Sequence, residues 1–302
     1  MSNTATHTPF TPKNASEWTQ SDLSSYNITL IDQDRTAFFD LGGRLPGLPM
    51  SLDALADTAD REAAVDVDDD YETEKYLHIL ELAWGASRNA ESRGDGQGRG
   101  QGRWRGARLE SVMTTFVERL LLKLGYDTER SLLLHGVGLP LAIAGTERLT
   151  RPSLSMWDAD ELVTLLVQTD LSPSPLSPGS GSEKIDPEAA LIASAISSFQ
   201  YNNRTRVASQ STPFSTIVLP GVAFTGTTPT FYRIAVTEAL SKAVESGQPP
   251  EEGVEVQRYV PELPGEKSEG MLDAQNRHLL LQEFLAFTVC VEVNKEETMA
   301  YV

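Results

Sequence analysis

The chain has 302 residues, with 25 basic against 43 acidic side chains and a formal charge of -18 at pH 7, so its averaged field repels polyanions and any nucleic-acid contact has to be local. A single cysteine, Cys290, excludes an intramolecular disulfide, and its apolar setting (Phe287-Thr-Val-Cys290-Val) reads as that of a small buried hydrophobe. The N-terminus has neither a basic start nor an apolar stretch, and no run approaches the roughly 20 apolar residues of a membrane span, so an intracellular protein, cytoplasmic or nuclear and without membrane contact, is expected.

Residues 1–24, rich in Thr, Ser, Asn and Pro, are expected to be a disordered tail, and 25–87 a partly helical N-terminal extension. Asn27–Ile31 reads as a short strand. The acidic run Asp66–Asp70 precedes an amphipathic helix, Tyr71–Ala86, with Tyr76, Leu77, Leu80, Ala83 and Trp84 on one face; acids there favour the positive end of the helix dipole. As a calcium loop the run fails, because Tyr71 stands where the tight-turn glycine belongs and Leu77 where the bidentate glutamate belongs.

Composition then shifts over 88–106 to an Arg/Gly-rich linker or loop. Such a tract, holding Arg99, Arg103, Trp104 and Arg105, resembles segments that stack on and neutralise single-stranded RNA; the plainer reading is a surface insertion. From Leu109 to Leu124 apolar residues keep the i, i+3, i+4, i+7 rhythm until Gly125 ends the helix. Leu132–Leu134 reads as a buried strand, followed by a Gly/Pro-rich connection from Gly136 to Pro140.

A hairpin follows, from Ser153 through a turn at Asp158–Glu161 into the apolar strand Leu162–Gln168. The Ser/Pro-rich segment 172–185 is a low-complexity insertion. Asp186-Pro187-Glu188 then opens a helix to Tyr201, with Leu191, Ile192, Ala195, Ile196 and Phe199 as its buried stripe. Strands are expected over Thr216–Leu219, Val222–Phe224 and Phe231–Val236, with turns at Pro220-Gly221 and Gly226–Pro229. Gly221–Thr228 has the glycine spacing of a phosphate loop without its lysine, and a strand-turn-strand fits it better. A helix from Thr237 to Glu245, a strand from Val254 to Val260 and a helix from Leu272 to Thr288 complete the pattern. The fold class is therefore α/β, a mixed central sheet flanked by helices. His7, His78, His135 and His278 show no metal-ligand spacing.

Helix, strand, hairpin, helix, strand is the order of a divalent-metal nuclease core, in which an acid on one strand and an acid-X-lysine on the next grip a magnesium ion from two sides. Residues 107–290 resemble an uncharacterised fungal family whose core is similar to the PD-(D/E)XK nucleases, which implies a restriction-endonuclease-like fold. The resemblance is carried by Leu162–Asp170, Asp186–Asn203, Pro220–Tyr232, Gly270-Met271 and Asn276-Arg277. It places the first catalytic acid at Ser153, the second at Thr169 and the lysine at Leu171, so all three residue types are lost while Gln168 and Asp170 remain. Asp170 neighbours the acid position and should face the other side of its strand.

Glu110, Asp158, Asp170 and Gln200 are the possible remnants, with Asp160 and Glu161 as further acids; the resemblance puts Gln200 near the site, and a polar helix end is its plainer role. The expectation is a catalytically degenerate nuclease-like domain acting as a scaffold or interaction module, with no resident metal and, given the acidic charge, a basic protein as partner. The alternatives are a residual Mg- or Mn-dependent phosphodiesterase using displaced carboxylates, or RNA binding through the Arg/Gly segment.

Overall fold

The computed structural model describes residues 12–40, 42, 44–58, 71–91, 101–169 and 186–299; for 89–91, 101–109 and 293–299 it describes the backbone alone. Residues 1–11 of the expected tail, the acidic run 66–70, Arg99, Asp170, Leu171 and the insertion 172–185 lie outside the described residues.

The main sheet is mixed and seven-stranded, in the order β1 (Ile28–Asp32), β9 (Val254–Tyr259), β8 (Thr228–Thr237), β7 (Thr216–Thr225), β6 (Val163–Thr169), β5 (Leu154–Asp158), β2 (Ser131–His135). The β1–β9 and β6–β7 pairs are parallel and the others antiparallel. A separate ribbon joins β3 (Leu139–Ile143) to β4 (Thr146–Thr150). The α/β class and the mixed sheet expected from the pattern are observed.

Helices cover both faces. On one lie α2 (Arg35–Phe39), α3 (Met50–Asp57), α4 (Tyr71–Glu91), α5 (Gln101–Lys123) and α8 (Ala274–Met299), sharing a core with Leu154, Met156, Leu165, Val167, Val222, Phe224, Phe231 and Tyr259 from the strands. On the other lie α1 (Gln20–Ser25), α6 (Pro187–Ala208), α7 (Glu238–Ser246) and the β3–β4 ribbon, packed with Val163, Leu166, Leu219, Ile234 and Val256. No helix among the described residues is long and apolar enough to cross a membrane.

Four expectations need correction. Residues 15–26 are not a tail: Trp18, Leu23 and Tyr26 are buried, Trp18 and Tyr26 stack at 5.5 Å, and the segment packs on the outer side of α6. Three spaced apolar anchors suffice to seat an otherwise polar stretch, and β1 behind it extends the same sheet. The Arg/Gly linker is shorter than 88–106, because α4 runs to Glu91 and α5 begins at Gln101, placing Arg103, Trp104 and Arg105 on a helix. The long apolar stripe of α5 extends the helix N-terminally, since propagation costs far less than nucleation.

Pro220-Gly221 is not a turn but the middle of the single strand β7. β6 pairs with β7 only from Gly221 onward, so Pro220 stands where one side of the strand is still unpaired and its missing N–H is tolerated. A Cβ on Gly221 would come within 3.0 Å of Leu191 and 3.1 Å of Ile234, so glycine lets α6 approach the sheet. Finally, α6 has no exposed face along its first half: every residue from Ala189 to Gln200 is buried, the sheet on one side and the ribbon with the N-terminal segment on the other.

The start of α6 is as expected. Asp186 Oδ1 accepts the amides of Glu188 and Ala189, each at 3.1 Å, with Pro187 in the first turn.

Candidate functional site

The hairpin β5–β6 brings together two of the three positions at which the resemblance would put catalytic groups. Ser153 immediately precedes β5 and Thr169 ends β6, and because the two strands are antiparallel these ends coincide. The Ser153 and Thr169 hydroxyl oxygens lie 3.1 Å apart, and the Thr169 amide donates to Ser153 Oγ, also at 3.1 Å. Thr169 is fully buried and Ser153 is 6% exposed. Gln168, also buried, turns its Nε2 back to the Thr169 carbonyl at 3.3 Å.

This donor set does not fit a magnesium or manganese ion. A hard dication takes its ligands from carboxylates, carbonyls and water, whereas here two neutral hydroxyls satisfy each other and a backbone amide away from solvent. Among the described residues, no group of three or more His, Cys, Asp or Glu side chains is gathered closely enough to hold a metal.

The acids of the β5–β6 turn do not meet the pair. Asp158 Oδ1 accepts the amides of Asp160 at 3.0 Å and Leu162 at 2.9 Å, so it builds the β5–β6 turn. That turn, with exposed Asp160 and Glu161, is at the opposite end of β6 from Thr169; seven residues of strand put about 20 Å between them. Asp158 is therefore excluded as a remnant of this site. Glu110 sits half-buried on α5, the helix that packs on β6.

Gln200 is also occupied elsewhere. Its Oε1 accepts the Ala142 amide at 2.8 Å and its Nε2 donates to the Ala142 carbonyl at 3.2 Å, securing β3 to α6. Asn202 holds Val163 in the same two-bond manner, and Asn203 holds Phe214. Sequence reading missed these amides as a set; three carboxamides within four residues of one helix, Gln200, Asn202 and Asn203, are the signal that was present.

Two further polar constellations were not anticipated. Arg258 on β9 bridges Asp32 of β1, at 2.7 and 3.1 Å, and Glu188 of α6, at 3.0 and 3.3 Å, while Tyr232 donates to Glu188 Oε1 at 2.8 Å and Gln20 donates to Glu188 Oε2 at 2.8 Å. The Arg258 guanidinium holds the Asp32 carboxyl below its ordinary range, and burial followed by the Glu188 charge pushes the Tyr232 phenol up. The second is Arg277, fully buried on α8, whose guanidinium donates to the carbonyls of Leu55, Met271, Leu272 and Thr58. Desolvation holds its pKa below the ordinary arginine value.

The three described histidines stay apart: His135 pairs with Glu118 at 2.8 Å and His278 with Asp57 at 3.3 Å, while His78 is exposed on α4; His7 lies outside the described residues. Gly221–Thr228 is strand and turn, with Gly226 at a φ of +57°. Cys290 is half-buried, and burial pushes its thiol up, away from the reactive thiolate. No protein-family model matches the chain, and neither does any curated protein.

Proposed function

We propose that residues 107–290 are a nuclease-like core that has lost its metal chemistry and that the protein works as a scaffold or interaction module. The observation carrying this reading is the Ser153–Thr169 hydrogen bond, because positions separated by 16 residues and singled out for missing acids adjoin each other at one end of a hairpin. Support comes also from connectivity. α5 leads into β2, β5 and β6, three neighbouring antiparallel strands interrupted by the β3–β4 ribbon, and α6 then crosses to β7, parallel to β6. That helix, three-strand, helix, strand order is the one the resemblance implies.

With hydroxyls where carboxylates would stand, neither charge nor coordination is available to activate water on a phosphodiester. The residual phosphodiesterase alternative lacks support from Asp158, which is committed to a distant turn. The formal charge of -18 favours a basic protein over nucleic acid as the partner of such a module.

The test is incubation of the purified chain with single- and double-stranded DNA and RNA in millimolar Mg²⁺ or Mn²⁺. The expected outcome is no cleavage above a protein-free blank. Metal-dependent cleavage that disappears in Glu110→Gln would overturn the reading.

A further inference from the structure

Glu283 on α8 is fully buried within the aromatic side of the core. Its Oε1 accepts the Tyr259 hydroxyl at 2.5 Å, and its Oε2 has no hydrogen-bond partner among the described residues. A neutral carboxyl tolerates such a setting; a carboxylate with a single donor does not.

α2 covers the Tyr259 ring whose hydroxyl Glu283 accepts. Helix α2 has five residues and packs on β9 and α8. Its Phe38 and Phe39 lie 5.7 and 5.3 Å from the Tyr259 ring, Phe38 stacks on Phe287 at 6.3 Å, and Phe39 meets Phe231 at 5.9 Å. A helix this short has no stability of its own, so these rings hold it in place.

Arg35, at the exposed start of α2, is the one charged side chain acting on Glu283 among the described residues. β9 contributes the Tyr259 hydroxyl, itself acted on by Arg35 and Glu262; β6 and β7 carry no charged side chain, and Asp53 and Asp57 of α3 and Lys267 and Glu269 of the 3-10 segment are not among the groups that shift Glu283. Burial outweighs Tyr259 and Arg35 and pushes the Glu283 carboxyl up to about 7.

We propose that α2 is a proton-controlled flap: while Glu283 is protonated, Phe38 and Phe39 stay seated over Tyr259, and loss of that proton lets α2 lift, admits water to the carboxylate and uncovers the aromatic floor beneath. The sign follows from linkage. With α2 lifted and water admitted the carboxyl titrates back towards its ordinary 4.5, and with α2 seated near 7, so the seated form is most favoured at acid pH, loses ground as pH rises towards 7, and changes no further above it. The opening constant should rise on the order of a hundredfold across that window.

Amide hydrogen exchange of the full chain at pH 5 and pH 7.5, corrected for intrinsic rates, reads this directly. Protection at Phe38, Phe39 and Asp40 is expected to fall on the order of a hundredfold in the wild type and to stay level in Glu283→Gln, with amides of Leu191–Phe199 in α6 unchanged in both. A level wild-type profile, the same fall in Glu283→Gln, or an equal fall in α6 would overturn the proposal. Should Glu283→Gln not fold, Tyr259→Phe replaces it: removing a donor that favours the carboxylate moves the midpoint of opening to higher pH, and an unmoved midpoint overturns the proposal too.

Discussion

Asn202 and Val163 pair like neighbouring strand residues although one belongs to a helix: Asn202 Oδ1 accepts the Val163 amide at 2.9 Å and its Nδ2 donates to the Val163 carbonyl at 3.0 Å. Val163 begins β6 opposite Trp157 of β5, and β7 pairs with β6 only from Leu166 onward, so Asn202 stands in for the strand neighbour that Val163 lacks on that side. Both residues are fully buried, so neither backbone group has water as a substitute.

Asn202→Ala should therefore cost about 2–4 kcal/mol, two buried backbone groups losing their partners at once. Asn202→Asp keeps the acceptor but loses the donor and buries a charge, and should be no milder. Urea unfolding midpoints measure both. A loss under about 1 kcal/mol for the alanine variant would mean that Val163 finds other partners and the clamp is dispensable.

These amides also show where sequence reading reaches its limit. β5, β6 and α6 were legible because each is specified locally: an apolar run, an Asp-rich turn, an Asp-Pro-Glu start. Gln200, Asn202 and Asn203 act on residues 58, 39 and 11 positions away, and no local pattern encodes that pairing. The β3–β4 ribbon was hidden for a different reason. Gly136–Pro140 reads as a Gly/Pro-rich connection, yet β3 begins within it at Leu139; the Pro140 carbonyl accepts from Ser197 and Arg204 of α6, and the Ala144-Gly145 turn with φ of +47° and +71° closes the ribbon. At the candidate site, the resemblance pointed to Ser153 and Thr169, whereas the burial of both hydroxyls required the third dimension.

Arg277 ties α8 to the end of α3 and to the 3-10 segment by donating to four carbonyls and, among the described residues, to no carboxylate. Arg277→Met should cost about 3–5 kcal/mol, because it leaves those carbonyls buried without donors. Arg277→Lys should recover little, since an ammonium has no planar fork to reach Leu55, Thr58, Met271 and Leu272 together. Chemical denaturation separates these outcomes. A lysine variant as stable as the wild type would show that charge alone, not the guanidinium geometry, matters there.

The Arg258 network should divide by exposure. Asp32 is largely exposed, so Asp32→Asn is expected to cost less than about 1 kcal/mol, whereas Glu188→Ala removes the acceptor of both Tyr232 and Arg258 and should cost about 2–3 kcal/mol. The Asp32 carboxyl is held below its unfolded value of 3.8, so its contribution is complete above 3.8 and is lost as pH falls through the lower folded value. Acid titration of stability should accordingly be slightly shallower in Asp32→Asn than in the wild type. An identical acid limb would mean that the Asp32–Arg258 pair contributes nothing measurable.

The decisive variant for the nuclease-like reading restores what the resemblance says is missing: Ser153→Asp, Thr169→Glu and Leu171→Lys in one chain. Ser153 and Thr169 adjoin each other, so the new carboxylates would share a buried corner and repel, and the metal-free variant should melt below the wild type. A dication held between them removes that repulsion. Free Mn²⁺ at a hundred times its dissociation constant should then stabilise the variant by about 2.7 kcal/mol, and the same ion should leave the wild type unmoved. Thermal melts with and without Mn²⁺, backed by calorimetric titration, read the difference, and Ser153→Asn with Thr169→Gln, which introduces similar volume without charge, should show no ion response. A triple variant that folds yet binds no more Mn²⁺ than the wild type would mean that this corner of the sheet is not the relic of a metal site, and the fold would then need another ancestry.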